Sequence, residues 1–116
     1  MIPIWVRNGA REDPVERALA VVGPKWILLI VRHLLDGPRR YTEIERALGR
    51  ANPKMVTARL RELEAAGLLT RTSYPEIPPR VEYALTERGR ALRPVVDALG
   101  AWGAAARRKR QRRARS

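Results

Sequence analysis

Asn52-Pro53-Lys54-Met55-Val56-Thr57-Ala58-Arg59-Leu60-Arg61-Glu62-Leu63, running on to Gly67, is the stretch that decides the fold. Asn52 can cap the free amides of a first helical turn, and Pro53 suits the next position because its fixed φ is already helical and its missing N–H was not needed. At about 100° per residue, Val56, Leu60 and Leu63 fall within about 60° of one another, so that side packs on a core. Lys54, Thr57, Ala58 and Arg61 lie on the other side, in the first half of the helix. Just upstream, Thr42-Glu43-Ile44-Glu45 reads as a capping box that opens a short helix through Leu48, with Ile44 and Leu48 four apart on one side. Gly49 to Asn52 makes a tight turn between the two, and two short helices joined this way predict a helix-turn-helix.

Further out, the pattern supplies a frame for that pair. Asp13 and Pro14 start a first helix with Glu16 at the capping-box position and Val15, Ala18, Leu19 and Val22 on one face, stopped by Gly23-Pro24. A second runs from about Lys25 to Leu35, apolar nearly all round at Trp26, Ile27, Leu29, Ile30, Leu34 and Leu35, so it predicts the buried centre; Gly37-Pro38 ends it. Downstream, Leu68 to Tyr74 and Arg80 to Leu85 read as strands, the second alternating Val81, Tyr83 and Leu85 against Arg80, Glu82 and Ala84. With Pro75-Glu76-Ile77-Pro78-Pro79 at the tip they predict a hairpin, or wing. Thr86 caps a last helix carrying Leu92, Val95, Val96, Leu99 and Trp102 on one stripe to about Ala106. The fold class is therefore mainly α with a small β-hairpin wing (α+β), a winged helix-turn-helix. An arm at residues 1–12, a domain at 13–106 and a basic tail at 107–116 divide the chain.

Charge separates body from tail. The 116 residues carry 24 Lys and Arg against 12 Asp and Glu, a net charge of +12. Arg107, Arg108, Lys109, Arg110, Arg112, Arg113 and Arg115 hold seven of those cations with no acid among them, which leaves residues 1–106 at +5. Like charges with nothing apolar to bury predict an unstructured tail, and a polyanionic partner, nucleic acid ahead of membrane. There is no cysteine, so disulfides, thiolate metal sites and thiol chemistry are excluded. His33, the single histidine, sits in the apolar run Trp26 to Leu35 and reads as structural. Glu43, Glu45, Glu62 and Glu64 are spread along helices as solvated charges, and no Gly-rich phosphate loop or metal spacing occurs. No catalytic, cofactor-binding or metal residue is therefore assigned, and the chain is not read as an enzyme. Trp26 to Val31, the longest apolar run, is far short of the roughly 20 residues of a membrane span, and residues 1–6 are too short for a signal peptide, so the expected location is the cytoplasm.

The outer face of the Pro53 helix has the chemistry of base reading in double-stranded DNA. Lys or Arg donates to guanine O6 and N7, and the methyls of Thr and Ala meet the thymine methyl. Lys54, Thr57, Ala58 and Arg61 are thus the candidate base readers, weighed against an ordinary solvated face. Arg39 and Arg40, before the first helix of the pair, and Asn52 at the start of the second suit phosphate contact near helix N-termini. Arg59 lies closer to the core edge, for a phosphate or for an ion pair with Glu62 or Glu64. On the wing, Arg71 and above all Arg80 suit phosphates or a minor groove, unless Arg80 pairs with Glu82 or Glu76.

Asp13-Pro14-Val15-Glu16-Arg17-Ala18-Leu19, Gly23-Pro24-Lys25-Trp26, Leu35-Asp36-Gly37-Pro38-Arg39-Arg40-Tyr41, Pro53 to Leu63 and Pro78-Pro79-Arg80-Val81-Glu82-Tyr83, in that order and spacing, resemble the HxlR-type winged helix regulators of bacteria, related in architecture to MarR-type repressors. The resemblance spans about Asp13 to Trp102. It implies a sequence-specific transcriptional regulator, a repressor ahead of an activator. It also implies a homodimer whose first and last helices pack together and whose recognition helices enter successive major grooves of a pseudo-palindromic operator. Val15, Leu19, Leu92, Val95, Leu99 and Trp102 are the candidate interface, which a small domain leaves with little of its own chain to cover it; packing of the last helix on the first is the alternative. Many members carry a cysteine where this chain has Asp13, used in some for sensing oxidants or electrophiles. Here any signal is a non-covalent small-molecule effector, a change in protein level, or absent. Trp5, in the arm, packs simply, lines a pocket or reaches across the dimer. The competing reading is a non-specific architectural DNA- or RNA-binding protein driven by the tail, which itself is expected to follow flanking phosphates.

Overall fold

Helix starts and stops fall where capping residues put them. In the computed structural model, which describes residues 13–115, the Asp13 carboxylate accepts from the Val15 amide at 2.9 Å and opens α1 (Pro14–Val22). The arm with Trp5 lies outside the described residues. Helix α2 (Ile27–Leu34) starts two residues later than the apolar pattern predicts, because Trp26 adopts the left-handed conformation with φ 82°, which no α-helix can include. Ile27, Ile30, Val31 and Leu34 of α2 are buried, as expected of a central helix, but Leu29 is exposed.

A two-residue strand, β1 (Arg39–Arg40), precedes α3 (Tyr41–Ala47). The sequence reading set the cap of α3 at Thr42; the structure sets it at Arg40, whose amide donates to Glu43 Oε1 at 2.8 Å. Glu43 is the carboxylate that reaches back, so the cap sits two residues earlier and Thr42 is simply exposed within the helix. Helix α4 (Pro53–Ala65) follows, with the Asn52 side chain accepting from the Met55 amide at 2.8 Å. It ends through Gly67 at φ 75°, a conformation open to glycine.

Strands β2 (Leu69–Tyr74) and β3 (Arg80–Leu85) form the wing, antiparallel, with Leu69 opposite Leu85 and Tyr74 opposite Arg80. β1 adds to the other edge of β3, Arg39 opposite Tyr83, so the sheet has three strands in the order β1-β3-β2. Two residues are too short a run for the period-two pattern that reveals a strand. The Leu69, Tyr83 and Leu85 side chains are buried on the same core as Ile44, Leu48, Val56, Leu60 and Leu63. That shared core fixes the wing and both helices of the pair as one body.

The last helix is two. Thr86 caps α5 (Glu87–Arg90), accepting from the Gly89 amide at 3.2 Å while donating to the Gly67 carbonyl at 2.7 Å. The chain then breaks at Ala91-Leu92 before α6 (Arg93–Arg115). Pro94 supplies the reason: in a continuous helix its ring would collide with the carbonyl of Arg90, whereas in the first turn of a new one it is tolerated. Gly89 packs so tightly that a Cβ there would collide with the Leu68 carbonyl. Nor does α6 stop near Ala106, where an unstructured tail was expected; it stays helical through Arg115. Ala, Arg, Lys and Gln are all strong helix formers, and cations near a helix C-terminus are favoured by its dipole. Among the described residues no helix is long and apolar enough to cross a membrane.

Candidate nucleic-acid interface

The outer side of α4 presents the four expected residues together. Pro53, Lys54, Thr57, Ala58 and Arg61 line one shallow groove of about 340 Å³, with Val56, Leu60 and Leu63 buried behind them. Lys54 and Arg61 are exposed and enter no ion pair among the described residues; Thr57 and Ala58 are half-buried. Two cations with free donors flanking two methyl-bearing side chains match the pattern that a major-groove edge requires.

A second, larger cleft of about 550 Å³ joins α4 to the wing. Thr57, Leu60, Arg61 and Glu64 form one wall, Arg71, Val81 and Tyr83 the other, and Tyr41 the end. Arg71 is exposed and has no carboxylate partner among the described residues, so the cleft holds two guanidinium groups outside any such ion pair against one acid. A third depression of about 300 Å³ runs from Arg40 and Thr42 at the start of α3 to Pro78, Pro79 and Arg80 of the wing. The three open on a continuous set of residues, Thr57 and Arg61 being shared by the first two and Tyr41 and Val81 by the last two.

Other expected cations are held elsewhere. Arg80, given the leading wing role, is half-buried, pairs with Glu76 at 3.0 Å and Glu82 at 3.2 Å, and stacks on the Tyr74 ring at 4.1 Å. Its charge is neutralised within the wing, so the alternative reading of a pair with Glu76 and Glu82 is the observed one. Arg59 is likewise engaged, with Glu62 at 2.7 Å and with the Lys25 carbonyl, to which its Nε donates at 2.9 Å. That bond fastens α4 to the turn between α1 and α2. Arg39 is half-buried, and its Nε donates to the His33 carbonyl at 3.3 Å; Arg40 is exposed and enters no ion pair among the described residues. The Asn52 carbonyl oxygen is taken up by capping. At the wing tip the Ile77–Pro78 peptide is cis and Ile77 is fully exposed.

Tyr41 is the residue that sequence reasoning missed. Its hydroxyl lies 3.3 Å from Glu45 Oε2, 3.4 Å from the Pro53 carbonyl and 3.4 Å from Thr57 Oγ1. One side chain thus bridges the two helices at the start of α4. The i, i+4 spacing of Tyr41 and Glu45 was the available signal; the contacts to Pro53 and Thr57 were not visible in one dimension.

His33 is half-buried, and burial lowers its pKa below the usual imidazole range, helped by Arg32 and Arg39 and opposed by Asp36. It is neutral at pH 7 and belongs to the support of β1. Among the candidate interface residues on α1 and α6, Val15, Leu19, Val95 and Leu99 are exposed and Trp102 leaves 73% of its surface uncovered. The alternative of α6 covering these groups against α1 is therefore not the arrangement seen. Leu92 differs: it is half-buried and packs on the chain's own core, because it sits in the break that joins α5 to α6.

Comparison with known proteins places this arrangement. The sequence profile of HxlR-like helix-turn-helix proteins matches residues 21–111. An uncharacterized HTH-type transcriptional regulator of Methanothermobacter thermautotrophicus is 48% identical over 89 residues, 77% of this chain and 68% of the relative. The HTH-type transcriptional regulator YtcD of Bacillus subtilis is 47% identical over 90 residues, 78% of this chain and 71% of its own. The crystal structure of a putative regulator of that name superimposes with a TM-score of 0.76 at 45% identity, covering 81% of this chain and 96% of that one. The redox regulator HypR in its reduced form gives a TM-score of 0.78 at 43% identity, over 82% and 94% of the two chains.

Proposed function

The chain belongs to the HxlR-like helix-turn-helix family and is a transcriptional regulator with a helix-turn-helix DNA-binding domain; from that premise we propose that it is a cytoplasmic repressor that reads a pseudo-palindromic operator as a homodimer. The observation that carries the proposal is the groove on α4 where Lys54, Thr57, Ala58 and Arg61 meet, with both cations outside any ion pair among the described residues. Those four are the base readers. Arg71 and Arg40, exposed beside the two further clefts, hold the phosphate backbone on either side. Arg80, Arg59 and Arg39 act one step back, fixing the wing and α4 rather than touching DNA.

The homodimer is supported by the exposed apolar side chains of α1 and α6, Val15, Leu19, Val95, Leu99 and Trp102. Left in water, apolar side chains of this size are unfavourable, and a two-fold partner covers them with the same surface. Two-fold symmetry then sets the recognition helices roughly 34–36 Å apart, one turn of duplex. An occupied operator blocks polymerase without further machinery, which is why repression is favoured. With no cysteine in the sequence, a thiol carries no signal here, which leaves a non-covalent effector, a change in protein level, or no signal.

Selection of bound sequences from a random duplex pool tests this reading. An inverted repeat with half-site centres about 10 base pairs apart is expected. Recovery of sequences with no common motif would remove base reading and leave a non-specific DNA-binding protein.

A further inference from the structure

Helix α6 changes character along its length. Arg93 donates to the Leu35 carbonyl at 2.9 Å, and Val96 packs on the core; past that point α6 leaves the body. Val95, Leu99, Trp102 and Ala106 follow one line along it, at about 100° per residue. Lys109 and Arg110 straddle the continuation of that line, so the apolar seam gives way to charge. Beyond Ala106 the seam offers a second copy of the chain no apolar side chain to cover. After Asp97 the sequence has no acid, and Arg107, Arg108, Arg110 and Arg112 are exposed on different sides of the helix.

We propose that this basic end of α6 grips the phosphates of duplex DNA outside the segment read by α4, so that each subunit covers more DNA than its half-site. The proposal rests on the reading of α4 given above. Charge complementarity selects the partner. A rod of cations without acids suits a linear polyanion, and duplex DNA offers one charge per about 1.7 Å of its axis. Once α4 is docked, flanking phosphates are present at high effective concentration. Residues 103–116 contain no aromatic side chain on which unpaired bases could stack. Nor do they form the apolar face with which a helix lies on a membrane. From Val96 to Arg112 the helix rises about 24 Å, enough to pass about seven base pairs.

The test compares the full chain with a variant carrying Arg107→Gln, Arg108→Gln, Arg110→Gln and Arg112→Gln, which keeps helix-forming residues while removing four charges. Binding is measured over a range of salt on a short duplex holding only the inverted repeat and on one lengthened by about ten base pairs at each end. The full chain is expected to bind the longer duplex about tenfold more tightly near 0.1 M salt, with a log–log salt slope steeper by about three or more. The variant should bind both lengths alike and match the full chain on the short one. Equal affinity of the full chain for both lengths, or an equal gain by the variant, overturns the proposal, as does a charge-dependent preference for single-stranded RNA over the longer duplex. A scrambled short duplex bound as tightly as the inverted repeat would instead strike the reading of α4, and the length comparison, which needs no particular sequence, would still decide the role of α6.

Discussion

Arg61 on α4 and Arg80 on the wing are both arginines expected at a DNA surface, yet the fold treats them oppositely. Arg61 stands exposed on a groove beside Lys54 and Thr57, with no carboxylate partner among the described residues. Arg80 lies over the Tyr74 ring between Glu76 and Glu82, with its Nε buried and unpaired. Residue type and a basic neighbourhood were the same evidence in both cases. What separates them is whether the fold brings acids and an aromatic face within about 4 Å. A guanidinium already paired and stacked has little to gain from a phosphate, because it must give up those contacts first. The two therefore predict different phenotypes, one in recognition and one in stability.

The sharpest break in that contrast comes from the groove on α4. Arg61→Ala and Lys54→Ala should each weaken binding to the cognate operator by about 1–3 kcal/mol and change binding to random DNA little, with thermal stability nearly unaltered. Equal losses on both DNAs, measured by titration at fixed salt, would turn α4 from a reader into a clamp. Arg80→Ala should show the reverse order. Loss of the stacking and of two ion pairs is expected to lower the stability of the fold by about 1–2 kcal/mol in denaturant unfolding. Its effect on operator affinity should be smaller and the same for every sequence.

Arg71 refines the comparison within the wing, since it is the free cation where Arg80 is the tied one. Arg71→Ala should reduce affinity uniformly across sequences and lower the log–log salt slope by about one, without moving the unfolding midpoint. The smallest effect belongs to His33. Its pKa is lowered in the folded chain, so the unfolded chain binds the proton more readily. This contribution to stability is complete above the ordinary imidazole value of 6.5 and is lost as pH falls below it toward the lowered folded value. Relative to the parent, His33→Gln should flatten the stability profile between about pH 7 and pH 5, and unchanged profiles would show that burial there is slight.

Much of this was legible in one dimension, for identifiable reasons. Caps and breakers act locally, so Asp13, Asn52, Gly67 and Thr86 marked element ends within a residue or two. Periodicity exposed Val56, Leu60 and Leu63 as the buried side of α4, which left Lys54 and Arg61 outside by geometry alone. Where the sequence misled, the deciding partner was distant or the pattern too short. Trp26 delays α2 through a backbone conformation that no residue pattern announces. The two-residue strand β1 exists only because β3 lies beside it, and Leu92 is claimed by the core of its own chain.

Sequence by itself determined the helix-turn-helix pair, the hairpin after it, the apolar face of the recognition helix and the family, because these depend on contacts a few residues apart and on side-chain chemistry. Tertiary structure alone decided which cations remain available. Arg59 meets Lys25 across 34 positions, and Arg93 meets Leu35 across 58; such pairings follow from how the elements pack. The groove on α4 keeps its charges because among the described residues no carboxylate is set in ion-pair reach of Lys54 or Arg61, and the wing loses one of its own because the hairpin register sets Arg80 against Tyr74 and beside Glu82.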